Sequence, residues 1–193
     1  MKLLHIDSSI LGEQSASRVL TREIVADWQR RHPDIEVQYR DLAARELPHL
    51  SGAAITGQID AERERNAQTL ADFQGADVLV VGAPTYNFAI PSQLKAWIDR
   101  IAVAGKTFRY TASGPQGLAG GKRVIVALAR GGVHDPSAPG EFVESYLRHL
   151  FGFLGIDTVT FIRAEGLSLS AEHRRASLSA ALDAIQTPLA AAA

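Results

Sequence analysis

Four consecutive apolar residues, Val78-Leu79-Val80-Val81, with no polar residue between them, restrict the fold more than any other stretch. A strand without alternation has both faces covered, as the central strands of a parallel sheet do. The strand is expected to stop at Gly82-Ala83-Pro84. Pro91 is expected at the first position of a helix, where its fixed φ is suitable and its missing N–H is not needed. Leu94, Trp97, Ile98 and Ile101 follow at helical spacing and give that helix one apolar stripe. Between strand and helix lie Thr85, Tyr86, Asn87, Phe88, Ala89 and Ile90. In an open parallel sheet this carboxyl edge is where ligands sit. The loop offers aromatic rings, an amide and a row of backbone donors, which suits a flat aromatic ligand. The same residues also suit a plain connector whose Tyr86 and Phe88 fold back onto the core.

Leu3-Leu4-His5-Ile6 is a second buried strand, ending at Asp7-Ser8-Ser9. The loop Ile10-Leu11-Gly12-Glu13-Gln14 leads to a helix with Val19, Leu20, Ile24 and Trp28 on its apolar side, and Ser15 is its expected N-cap. A hydroxyl-rich loop at a helix start can hold a phosphate, because free N–H groups and the positive dipole end face the anion. Ser9, Ser15 and Ser17 therefore point to one phosphate, although serine also caps helices for structural reasons alone.

Farther along, Ile35 to Tyr39 alternates like an edge strand, and an irregular connection runs from Asp41 through Pro48, Gly52 and Gly57. Asp60 is expected to cap a helix through Leu70 and Phe73. Gly120-Gly121-Lys122 superficially suggests a P-loop. The motif fails because Gln116 stands where its first glycine belongs and Arg123 follows the lysine. Val124 to Leu128 is another buried strand, ending in Ala129-Arg130-Gly131-Gly132-Val133-His134. The paired glycines fit either a ligand's close approach or a simple turn. His134 is a candidate pocket residue or an exposed loop histidine, with no second histidine at metal-ligand spacing. A helix from Phe142 to Leu154 with Gly155 as its stop, a strand from Ile156 to Ile162, and a helix begun by Ser170 complete the order.

The 193 residues suit one domain, assigned to 1–188, with an Ala-rich tail at 189–193. A net charge of -1 gives no electrostatic case for nucleic acid or an acidic membrane surface. The absence of Cys excludes disulfides, a thiol nucleophile and thiolate metal sites, so redox chemistry would belong to a bound cofactor. The first apolar run is too short for a signal-peptide core and no run has the length of a membrane span, so a cytoplasmic location is expected.

Pro84-Thr85-Tyr86-Asn87-Phe88, Pro91-Ser92-Gln93-Leu94-Lys95, the Ser8-Ser9-Ile10-Leu11 and Ser15-Ala16-Ser17 segments, and Thr107-Phe108-Arg109-Tyr110-Thr111 resemble the FMN-dependent NADH-azoreductases. The resemblance spans nearly the whole chain. It implies an α/β, flavodoxin-like, doubly wound parallel sheet of five strands in the order 2-1-3-4-5. The alternative dinucleotide-binding order lacks support, since the first strand–helix turn has no G-x-G-x-x-G. The resemblance also implies that Ser9, Ser15, Ala16 and Ser17 surround the phosphate of FMN. Thr85, Tyr86, Asn87 and Phe88 would line the flavin ring, and Ala129, Arg130, Gly131 and Gly132 would close its other edge. Thr85 stands where most members carry Met, and Ala129 where they carry Ser. The implied activity is transfer of electrons from NADH to quinones and aromatic azo compounds by a ping-pong exchange, in a homodimer whose sites draw on both subunits. Phe108 and Tyr110 would lie near the cofactor, and His134 and Tyr110 are candidate proton donors beside solvent. A flavodoxin-type electron carrier is the competing reading, disfavoured because such carriers are strongly acidic. A response-regulator domain would need an acidic cluster after the first strand, where this chain has Asp7, and an Asp ending the third, where it has Pro84-Thr85.

Overall fold

The computed structural model describes residues 1–56, 58–134 and 140–186; Gly57, Pro188 and the tail assigned to 189–193 lie outside them. The buried runs form the strands expected of them. β1 (Lys2–Asp7), β2 (Glu36–Asp41), β3 (Val78–Pro84), β6 (Arg123–Ala129) and β7 (Thr158–Ala164) make one parallel sheet in the order β2-β1-β3-β6-β7. β4 (Phe108–Thr111) and β5 (Gly114–Gly117) pair antiparallel as a separate hairpin. With the hairpin set aside, the sheet has the flavodoxin-like order implied by the resemblance.

Alternation of side chains across the pleat sorts the core into two halves. Leu4, Ile6, Leu79, Val81, Val124 and Val126 face one side. There they meet Phe73 of α3 (Asp60–Gly75), Trp97 and Ile101 of α4 (Ser92–Ile101), and Leu147 and Phe151 of α5 (Val143–Phe153). Leu3, Val80, Ile125 and Ile162 face the other side, against Leu20 and Ile24 of α1 (Ala16–Arg31) and Ile185 of α6 (Ala171–Gln186). Among the described residues no helix is long and apolar enough to cross a membrane.

Several boundaries differ from the sequence expectation. β3 does not stop at Gly82; Gly82, Ala83 and Pro84 stay in register with Ala127, Leu128 and Ala129 of β6. Glycine is required at 82 by crowding, since a Cβ there would lie 2.9 Å from Asp7 Oδ1 and 3.3 Å from Thr21 Cγ2. Pro91 is the N-cap of α4 and not its first residue: ψ is 145°, outside the helical range, while its carbonyl accepts Lys95 N–H at 3.0 Å. Asp60 likewise does not cap α3. Ile59 holds that position, and Asp60 with Glu62 places negative charge in the first turn, facing the positive dipole end. The connection after Asp41 contains a short helix, α2 (Gly52–Ile55), capped by Ser51. Lys122 stands at the amino edge of the sheet, donating to the carbonyls of Gln74 and Ala76 at 2.7 Å each, so the lysine of the rejected P-loop serves a structural end.

Candidate functional site

β1 runs to β2 through α1 on one side, while β3 runs to β6 through α4 on the other. The carboxyl ends of β1 and β3 thus flank the switch point where doubly wound sheets open a crevice. Ser8 ties the two strands by donating its hydroxyl to the Gly82 carbonyl at 2.6 Å. Ser9, Ser15 and Ser17 are all fully buried, and Arg18 links the two ends of the loop, donating from its side chain to the Ser9 carbonyl and from its N–H to Ser15 Oγ. Ser9 Oγ lies 3.1 Å from Tyr86 Oη and accepts Leu11 N–H, while Ile10 N–H donates to Tyr86 Oη at 3.3 Å. Ser15 caps α1 as expected, accepting Arg18 N–H at 3.3 Å, and its Oγ lies 3.0 Å from Ser17 Oγ. The N–H groups of Ala16 and Ser17 are first-turn donors that the helix cannot use itself. Hydroxyls, free N–H groups and the positive dipole end therefore converge at the start of α1, the chemistry that holds an anion.

The second loop begins where Thr85 N–H donates to the Ala129 carbonyl at 2.8 Å, extending the β3–β6 ladder. The Thr85 hydroxyl is buried with no partner among the described residues. Tyr86 and Ala89 exchange both backbone hydrogen bonds, at 2.9 and 3.0 Å. Asn87 and Phe88 between them have φ of 48° and 66°, the double left-handed turn that usually calls for Asn-Gly. Such backbone is held only where the surroundings over-determine it, and it gathers at ligand sites. Here it sends the Phe88 ring outward, 72% exposed, while Tyr86 turns back to Ser9.

The third loop is laced to the chain after β7. Arg130 N–H donates to Ala164, and the carbonyls of Arg130, Gly131 and Gly132 accept from Leu167, Ser168 and Gly166. A Cβ on Gly131 would meet Ser168 Oγ at 2.7 Å, so this glycine answers to a neighbouring loop, whereas Gly132 faces open space. The Arg130 guanidinium is engaged by Glu141 at 3.1 Å and Glu165 at 3.3 Å. Burial pushes the Glu141 carboxyl up, but the N–H groups of Glu144 and Ser145 and the Arg130 charge outweigh it and leave it below its usual range. His134 is half-buried, and its backbone N–H donates to Glu165 at 3.4 Å. Tyr110 sits apart on the hairpin, 76% exposed. It packs edge-on against Phe108, which meets Phe153 of α5. No hydrogen bond or ring contact joins Tyr110 to the three loops among the described residues.

Beneath the first loop is a polar cluster that the sequence reading missed. Arg18 donates to both Asp41 carboxylate oxygens at 2.6 and 2.8 Å, to Tyr39 Oη at 3.1 Å and to the Ser9 carbonyl at 2.9 Å. Asp7 accepts from Thr21 at 2.8 Å and Tyr39 at 3.0 Å, with His5 Nε2 3.6 Å away. The Arg18 fork holds the Asp41 carboxyl below the usual range against the opposing effect of burial. Burial would raise Asp7, but His5, Thr21 and Tyr39 leave it lowered. Burial and the nearby Asp7 charge push the Tyr39 phenol up to about 12. The signal for the cluster lies in the strand pairing and not in the sequence alone. Asp7 and Asp41 end neighbouring strands in register, so two carboxylates meet there and need a cation. A cavity of about 1120 Å³ lies elsewhere, between β2, the connection after Asp41, and α3; it touches the cluster at Tyr39 and Asp41 but includes none of the three loops.

The family model described as a flavodoxin-like fold matches residues 1–189. FMN-dependent NADH:quinone oxidoreductase 1 of Xanthomonas euvesicatoria pv. vesicatoria is 55% identical over 183 residues, covering 94% of this chain and 93% of that protein. The FMN-dependent NADH:quinone oxidoreductase of Rhizobium meliloti is 52% identical over 192 residues, with 94% and 93% covered. Among solved structures, azoreductase from Bacillus anthracis str. Sterne superposes with a TM-score of 0.86 at 30% identity, over 96% of each chain. With its sheet order, its carboxyl-edge loops and these relatives, the chain belongs to the flavodoxin-like family that includes the FMN-dependent NADH:quinone oxidoreductases.

Proposed function

We propose that this chain is an FMN-dependent NADH:quinone oxidoreductase that also cleaves aromatic azo compounds. The observation that carries the reading is the convergence of buried Ser9, Ser15 and Ser17 with the free N–H groups at the start of α1. These neutral donors suit the 5′-phosphate of FMN. The partnerless Thr85 hydroxyl and the open backbone at Gly132 also suit a ligand lying along the carboxyl edge. When bound, FMN would supply the redox chemistry: each NADH gives a hydride and solvent a second proton, so one turnover reduces a quinone to the hydroquinone and two turnovers cleave an azo bond to two amines.

The protein's part is placement. Ser9, Ser15, Ala16 and Ser17 hold the phosphate, and Tyr86 fastens the phosphate loop to the ring-side loop. Thr85, Asn87 and Phe88 lie along one edge of the ring. Ala129, Arg130, Gly131 and Gly132 bound the other, with Arg130 acting through Glu141 and Glu165 to stiffen the glycine loop. Backbone N–H groups of these loops would stabilise negative charge on the reduced ring without an acid or base side chain. With no Cys in the chain to store electrons, NADH and acceptor take turns at one surface, which gives ping-pong kinetics. Exposed Ile10, Phe88, Val133 and Phe142 near these loops support a homodimer that covers them. A cytoplasmic location accords with the thiol-free composition. The test is the absorption spectrum of the purified protein. One FMN per chain, lost on dialysis far more readily from Ser17→Ala, supports the assignment. A purified chain with no affinity for added FMN overturns it.

A further inference from the structure

The serine loop is not self-supporting. Arg18 sits in the first turn of α1, where the helix dipole opposes a cation, and it is 9% exposed. A buried guanidinium in that position is costly unless its charge is matched; here Nη1 and Nη2 are both engaged, while Nε has no partner among the described residues. Its fork grips both oxygens of Asp41, and the same Nη2 reaches the carbonyl of Ser9 at 2.9 Å. Its backbone N–H meanwhile donates to Ser15 Oγ. Arg18 thus holds the loop at its first serine through the side chain and at its second through the main chain. The anchor below is rigid: Asp41 Oδ1 also accepts the N–H groups of Ala43 and Ala44, and Leu42 N–H donates to the Asp7 carbonyl at 2.8 Å. With its charge matched by Asp41 and both Nη groups donating within the protein, the fork is held by the fold.

We propose that Arg18 is a positioning residue whose fork, between Asp41 and the Ser9 carbonyl, sets the spacing of Ser9 from Ser15 and Ser17. It thereby makes the site selective for a flavin bearing a 5′-phosphate. The proposal rests on the reading of this loop as the phosphate site. Lysine cannot reproduce the role, because a single ammonium does not span two carboxylate oxygens and a carbonyl in one plane.

The test compares FMN with riboflavin, which has the same ring and ribityl chain but no phosphate. The flavin-free full chain, Arg18→Lys and Asp41→Asn are each titrated by quenching of flavin fluorescence, with circular dichroism to register folding. The native chain should bind FMN far more tightly than riboflavin. Each variant should lose about tenfold in FMN affinity, the equivalent of one hydrogen-bond step, with riboflavin affinity unchanged. If Arg18→Lys does not fold, Asp41→Asn carries the same comparison. Folded variants with the native FMN-to-riboflavin ratio overturn the positioning role, and so does an equal loss for both flavins, which marks general damage. A native chain that binds FMN no better than riboflavin overturns the phosphate reading itself, a result distinct from either.

Discussion

At Ser17 the needs of the fold and of the ligand separate. Ser15 already caps α1 through Arg18 N–H, so the Ser17 hydroxyl has no essential structural partner beyond Ser15. Ser17→Ala should leave stability nearly unchanged and weaken FMN by roughly 10- to 100-fold, the worth of one hydrogen bond to a charged group. Isothermal titration would check the affinity, and thermal unfolding the stability. His134 meets the chain through its main-chain N–H, so His134→Ala should cost little in turnover. A fall of about 10²–10⁴-fold would instead mark it as a general acid. The cap at Ser15 was legible in the sequence because capping is local chemistry. The Arg18–Asp41 fork was not, because it depends on which residues of β1 and β2 fall in register.

Among the elements, the turn from Tyr86 to Ala89 is where local preference and structure conflict most. Phenylalanine at φ 66° is disfavoured by about 1–2 kcal/mol relative to a right-handed conformation, and asparagine tolerates the region far better. Phe88→Asn should therefore raise the unfolding free energy by up to about 1 kcal/mol. It should also weaken FMN, since it removes the exposed ring from the flavin's edge. Denaturant titration with and without FMN would measure both effects. Buried strands and the stripe of α4 were legible because burial of that kind has a plain sequence pattern. Element ends were less so. Pro84 reads as a strand stop, yet it needs no N–H at the end of a paired strand, and only the pairing with β6 shows that β3 reaches it. Pro91 reads as a first helical residue, yet its extended ψ makes it the cap.

For the whole molecule, the carboxylates beneath the site set the acid limit. Asp7 and Asp41 both titrate lower in the folded chain than when unfolded. Their contribution is thus fully present above the unfolded value of about 4 and is lost as pH falls through the folded one. Stability should be level from neutral pH to about pH 5 and drop below about pH 4. Asp41→Asn should show a shallower acid loss in urea titrations. The parallel sheet was readable from the alternation of elements and its strand order from the resemblance, while the hairpin and α2 were not, since neither carries an apolar pattern of its own. The central claim concerns electron transfer from NADH to a quinone, and steady-state kinetics with NADH and benzoquinone, each varied against the other, addresses it most directly. Parallel double-reciprocal lines, with NADH oxidation far above that of free FMN, are the predicted result. NADH oxidation no faster than with free FMN would contradict the account.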